Sequence, residues 1–201
     1  DNQSTTELTD ENWFSLFAKG TYAYDDKYLF TATIRRDASS KFEGDNNVAI
    51  FPALSAGWKI SSEPFLKNSK VINELKLRIG YGEVGNDRIP VNSTKLLMEP
   101  TTVKGPGFVN NTNSVYYNII GTTMYNPDLI WETTLTRNIG LDFSILKSRL
   151  SGSIEVYDRN TVDLILSQKI PNLTGFSQVT ANVGKIQNKG IELTLNSVNI
   201  A

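Results

Sequence analysis

The chain has 201 residues, of which 39% are apolar, a formal net charge of -1, and neither cysteine nor histidine. That balance excludes an electrostatic footprint for nucleic acid, a disulfide framework, a thiolate or imidazole metal site, and any catalytic constellation built on Cys or His. No run approaches the ~18 apolar residues that a membrane helix requires, so a helical membrane protein is excluded while a strand-built one is not.

Residues 1–12 are polar and read as a loop segment, without the basic-then-apolar layout of a signal peptide. From Trp13 the chain alternates with period two, the mark of strands whose faces meet different surroundings. Phe14, Leu16, Ala18, Gly20, Tyr22 and Tyr24 alternate with Ser15, Lys19 and Thr21. After a tight turn at Asp25, Asp26 and Lys27, Tyr28, Phe30, Ala32 and Ile34 alternate with Thr31, Thr33 and Arg35. A long loop near 38–48 precedes Ile50, Leu54, Ala56, Trp58 and Ile60, set against Ser55, Gly57 and Lys59. Between Ser61 and Ile72, Glu63-Pro64-Phe65-Leu66 predicts a single helical turn with Pro64 at its first position.

Leu75, Leu77, Ile79 and Tyr81 then alternate with Lys76, Arg78, Gly80 and Gly82, followed by the longest loop, near 84–127. The clearest alternation runs from Leu129 to Phe143: a mostly apolar set, Leu129, Trp131, Thr133, Leu135, Arg137, Ile139, Leu141 and Phe143, opposes Glu132, Thr134, Thr136, Asn138, Gly140 and Asp142. A turn at Leu146, Lys147 and Ser148 leads to Leu150, Gly152, Ile154 and Val156 against Ser151, Ser153 and Glu155. A loop near 166–180 precedes a last strand from Asn182 to Asn196, with Ile191, Leu193 and Leu195 against Glu192 and Thr194. The pattern amounts to about seven strands over 13–197, each near or beyond the ~10 residues of a tilted membrane strand.

Short turns on one end and long polar loops on the other are the asymmetry of bacterial outer-membrane barrels. The expected fold is therefore all-β, an antiparallel transmembrane β-barrel segment. The alternative is a soluble secreted carbohydrate-binding β-sandwich, whose strands alternate as well. Tyr22, Tyr24, Tyr28, Trp58 and Trp131 lie near strand ends and suit an interfacial aromatic girdle.

The motifs carry little chemistry. Residues 80–85 (GYGEVG) match the letters of a dinucleotide fingerprint, but Asn86 to Pro90 read as a loop where a helix would have to begin. Glu132 and Asp142 stand ten residues apart, roughly 33 Å along one strand, much too far for a glycosidase pair. No enzyme activity, cofactor or metal is expected. Phe108, Tyr116, Tyr117 and Tyr125, in the longest loop, are the candidate contacts for a ligand or partner.

Five blocks together carry a resemblance: residues 28–42 (YLFTATIRRDASSKF), 51–65 (FPALSAGWKISSEPF), 75–86 (LKLRIGYGEVGN), 126–134 (NPDLIWETT) and 182–193 (NVGKIQNKGIEL). In this order they resemble the SusC/RagA-type TonB-dependent outer-membrane transporters, over about Trp13 to Asn196. Ala38 departs from the family's tendency to glycine, which puts a left-handed turn there in doubt. The resemblance implies a 22-stranded, plugged barrel of which this chain forms about seven strands. It implies import of glycans, peptides or similar oligomers across the bacterial outer membrane, with TonB acting through a plug region and a SusD-like lipoprotein as lid. The plug and the remaining wall are expected outside this stretch. In such a barrel Lys76, Arg78, Glu132, Asn138, Asp142 and Glu155, with Thr134 and Glu192, are expected to face the lumen. Leu75, Leu77, Ile79, Leu141, Ile154, Leu193 and Leu195 are expected to face lipid.

Overall fold

The computed structural model describes residues 10–101, 108–109, 116–119 and 122–199, with side-chain surroundings for 10–98 and 122–199. The chain runs β1 (Trp13–Tyr24), β2 (Tyr28–Ser39), β3 (Val48–Lys59), β4 (Ile72–Asn86), then the short strands β5 (Met98–Thr101), β6 (Phe108–Val109), β7 (Tyr116–Ile119) and β8 (Thr123–Met124). It continues through β9 (Glu132–Ile145), β10 (Leu150–Val162), β11 (Ile165–Lys169), β12 (Gln178–Asn182) and β13 (Lys185–Ser197). Seven strands form one antiparallel sheet in the order β1-β2-β3-β4-β9-β10-β13, so each long strand pairs only with its long neighbours in the chain. Two three-stranded sheets, β11-β12-β8 and β5-β7-β6, are folded from the long connections.

The turns at the short end are tight. Asp25 and Asp26 both adopt positive φ (51° and 50°), and the Lys27 N–H closes on the Tyr24 carbonyl at 3.0 Å. Two successive left-handed residues match the right-handed twist of the flanking strands, which is why an aspartate pair serves within this three-residue connection. Leu146, Lys147 and Ser148 are likewise left-handed. The Lys67 N–H bonds to the Glu63 carbonyl at 2.8 Å, a single helical turn around Pro64. Ala38 lies in the extended part of β2 and needs no left-handed backbone. Gly80 and Gly82 lie within β4, which continues as strand to Asn86, so the glycine pattern opens no helix.

Directly paired residues share a face of the sheet. One row reads Tyr22, Phe30, Ala56, Ile79, Ile139, Val156 and Ile191; another reads Leu77, Leu141, Ile154 and Leu193. This apolar face is open: Ile191 is 74% exposed, Leu193 62% and Leu16 61%. Among the described residues no second sheet covers it, so the β-sandwich alternative lacks the stacked layer it requires. A buried apolar cluster exists instead at the long-loop end, where Phe42, Phe51, Ile89, Leu129 and Trp131 pack together with Ala49 and Ile165 beside them.

Two expectations are corrected here. Leu129 and Trp131 do not extend the apolar stripe of a strand, because β9 begins at Glu132. They turn into the loop-end cluster, Leu129 fully buried and Trp131 almost so, which removes Trp131 from the aromatic girdle. The stretch from Asn182 is not one strand either. Gly184, left-handed at φ 84°, separates β12 from β13 and sends the chain from the loop sheet into the wall.

Candidate functional site

The polar face of β4, β9 and β10 carries a connected network. Arg78, on β4, grips Asp142 of β9 with two bonds, Nε to Oδ2 at 2.7 Å and Nη2 to Oδ1 at 2.9 Å. The same Nη2 reaches Glu155 Oε2 on β10 at 3.4 Å, and Asn138 Nδ2 donates to Glu155 Oε1 at 2.9 Å. A planar guanidinium forked onto one carboxylate and touching a second spans three strands, which a lysine ammonium could not do with the same geometry. The sequence makes room for it with glycine. A Cβ at Gly140 would lie 2.9 Å from Arg78 Nη2, and one at Gly80 would collide with the Asn138 amide. Lys76 is on the same face, paired across to Asp142, and its stem lies over Gly57.

Register also pairs Glu155 with Glu192, two carboxylates side by side on this face. Arg78, Asp142, Glu155 and Asn138 are therefore brought together, with Lys76 and Glu192 alongside. Glu132 stands apart, at the loop end of β9. It accepts from Asn86 Nδ2 at 3.0 Å and from the Ile165 N–H at 3.2 Å, so it ties β11 to the wall.

Sequence reading missed several residues of this face. Asp37 is wholly buried, bonded by Ser15 Oγ at 2.6 Å and paired with Arg35 Nη2 at 2.6 Å. The i, i+2 spacing of Arg35 and Asp37 on one strand face was the available signal. Trp13 and Phe17 are exposed aromatics on the polar side of β1, opposite Phe14 and Leu16.

Above the network the loops are clamped by asparagine. The Asn182 side chain accepts from the Ile130 N–H at 2.9 Å and donates to the carbonyls of Ile130 and Asp163 at 2.8 and 2.9 Å. Asn126 Nδ2 donates to the Thr180 carbonyl at 2.9 Å, and Trp131 Nε1 to the Asn46 carbonyl at 3.1 Å. Both asparagines open blocks that carry the family resemblance, and alternation gave no sign of what their side chains do. Tyr125 lies half-exposed in a cleft with Lys95, Phe176 and Gln178. Phe108, Tyr116 and Tyr117 have backbones on β6 and β7, paired Phe108 to Tyr117, while their side chains lie outside the described part.

At the opposite end Tyr28 and Trp58 stack with ring centroids 6.3 Å apart and both donate to Glu63 Oε1, at 2.7 and 3.0 Å. These bonds, the one from Tyr28 foremost, hold the Glu63 carboxyl below the usual carboxylate range against a smaller upward push from burial. Lys27, bonded to Asp25 at 2.6 Å, is raised above its ordinary value by that bond.

Comparison with known proteins agrees with this geometry. The family of TonB dependent receptor-like β-barrels matches residues 1–199. The TonB-dependent receptor P39 of Formosa agariphila is 40% identical over 195 residues, 96% of this chain and 18% of that protein. The TonB-dependent receptor SusC of Bacteroides thetaiotaomicron is 39% identical over 197 residues, 97% of this chain and 19% of that protein. The structure of the RagAB peptide transporter superposes with a TM-score of 0.78 at 27% identity, covering 93% of this chain and 20% of that one. The chain thus spans about a fifth of the length of each relative. A sheet with one bonded polar face, one bare apolar face and loops gathered at one end is what such a wall requires, and the chain belongs to the TonB-dependent receptors of the bacterial outer membrane, as a β-barrel stretch of the SusC/RagA type.

Proposed function

We propose that this stretch forms wall and extracellular loops of an importer that takes up glycans, peptides or similar oligomers. The observation that carries the reading is the opposition of the two sheet faces. Arg78, Asp142, Glu155 and Asn138 bond to one another on one, while Ile79, Ile139, Val156 and Ile191 stand bare on the other. An apolar surface of that extent is unfavourable in water and suits hydrocarbon. Lys76, Arg78, Glu132, Asn138, Asp142 and Glu155 then face the lumen, and Leu75, Leu77, Leu141, Leu193 and Leu195 face lipid.

Two relatives bear the name TonB-dependent receptor, and a third is titled a peptide transporter. By that likeness the whole receptor draws on TonB and works with a SusD-like lipoprotein over its mouth. Phe108, Tyr116, Tyr117 and Tyr125, in the longest loop, contact the lid or the incoming oligomer. Tyr125 has the best support, since its cleft offers an aromatic face beside amides and hydroxyls. Which oligomer is carried depends on the lid, the plug and the loops together.

The absence of cysteine from this stretch makes the test direct. Single cysteines at positions 135 to 142 of the whole receptor in its membrane are probed with a charged, water-soluble maleimide. Labelling with period two is expected, strong at 136, 138 and 142 and weak at 135, 139 and 141. Equal labelling of both sets would refute the wall reading.

A further inference from the structure

The apolar face does not stay apolar to its upper edge. Directly above the row Ile79, Ile139, Val156 and Ile191, register places Tyr81, Arg137, Asp158 and Lys189 side by side on four strands. On β1 to β3 the continuation of that same row is Gly20, Ala32 and Leu54, with no charge. The two rows line a groove of about 700 Å³ with an aliphatic floor and a charged rim.

Height decides what the rim meets. From Leu150 to Asp158, Ile145 to Arg137 and Ser197 to Lys189 the distance is about eight residues, roughly 26 Å of strand and, at a tilt near 40°, roughly 20 Å of height. An outer-membrane barrel has an apolar band about 25 Å tall, so with the strand bases at its lower edge the rim lies within about 5 Å of where acyl chains end on the long-loop side. This placement rests on the outward-facing reading of the apolar face proposed above.

The chemistry of the rim is mixed. No described hydrogen bond or ion pair engages the exposed Arg137 guanidinium. Lys189 lies 3.5 Å from Asp158 and is 61% exposed at its side chain. Asp158 also accepts from Asn160 and Gln187, and Tyr81 bonds to Glu83. A bare phosphate would find the two cations but would be repelled by the two carboxylates. A headgroup bearing both phosphate and sugar hydroxyls satisfies all of them: phosphate on Arg137 and Lys189, hydroxyls donating to Asp158 and Glu83, acyl chain along the isoleucines. We infer that this groove binds a phosphorylated glycolipid of the outer leaflet.

The test uses the whole receptor extracted from its membrane, with retained lipid read by native mass spectrometry. Arg137→Gln is expected to lower occupancy by phosphorylated glycolipid about tenfold, the effect of losing one charge-assisted hydrogen bond. Lys189→Gln should act in the same direction and serves where Arg137→Gln does not assemble. Added phosphatidylglycerol is expected not to displace the glycolipid. A polarity-sensitive dye on Ile139→Cys separates the two levels of the reasoning. If the dye reports hydrocarbon while both variants keep their glycolipid, or phosphatidylglycerol displaces it, the site is refuted and the outward face stands. A dye reporting water overturns the outward face, and the site with it.

Discussion

Replacing Trp131 with alanine should unfasten the loops and leave the wall intact. Its ring packs on Phe42 at 5.2 Å and on Phe51 at 5.8 Å between centroids, and its Nε1 holds the Asn46 carbonyl. Truncating a buried Trp costs about 3–5 kcal/mol through lost transfer energy and the cavity left behind. At about 1.4 kcal/mol per tenfold, local opening of the loop end should become at least roughly 100-fold more frequent. Trp131→Phe keeps most of the packing and loses one hydrogen bond, about 1 kcal/mol, so its effect should stay below roughly tenfold. Hydrogen exchange on the whole receptor reads this peptide by peptide. Faster exchange is expected in 40–47 and 163–170, with β9 and β10 unchanged because ladder bonds, not this cluster, hold them. Unchanged loop exchange in Trp131→Ala, or equal acceleration of the wall strands, would contradict the reasoning.

Gly80→Val should reduce the yield of heat-resistant barrel, since the new side chain displaces Asn138 from Glu155; Gly82→Val, whose nearest neighbour is the Ala53 methyl at 3.5 Å, should be milder. Arg78→Leu should destabilise the barrel by about 3–5 kcal/mol at most, and by less with solvent screening, because it removes the cation bonded to both Asp142 and Glu155; Arg78→Lys should recover part of this in thermal melts. Asn182→Leu removes three bonds at nearly constant volume and should expose 163–184 to protease without altering β13. Glu63 is held below its ordinary value, so its contribution is present above the usual carboxylate range and is lost as the pH falls through the lowered value. Trp58 emission should therefore stay constant from neutral pH into the mildly acidic range and change only below it, and Glu63→Gln should abolish that step.

The wall was legible because its signal is local. Alternation from 135 to 143 gives the face of each β9 residue without knowing what it touches, and the aspartate turn at 25–26 fixes the β1–β2 hairpin. The network on the polar face was half legible. Its members could be named from parity, but the fork of Arg78 onto Asp142 depends on a register between strands 64 residues apart. The loop-end cluster was not legible. Leu129 and Trp131 continue the period of the strand that follows, and only partners far along the chain, Phe42, Phe51 and Asn46, the last 85 residues away, reveal that Trp131 belongs elsewhere. A buried residue just before a strand and an outward residue within it obey the same parity. Asn182 shows the converse: an unremarkable polar letter in a strand-like run became a three-bond clamp because a left-handed glycine two residues later turned the chain.

The order of strands in the sheet bears on how the wall assembles. Two hairpins, β1–β2 and β9–β10, close over three or four residues, whereas β4 must find β9 across the whole of 87–131. The entropy of closing that excursion exceeds that of a short turn by about 2 kcal/mol. The β4–β9 seam is thus the junction that proximity along the backbone does least to promote, ahead of β10–β13 across 163–184. Insertion in two blocks, joined late at that seam, is the assembly route this topology favours.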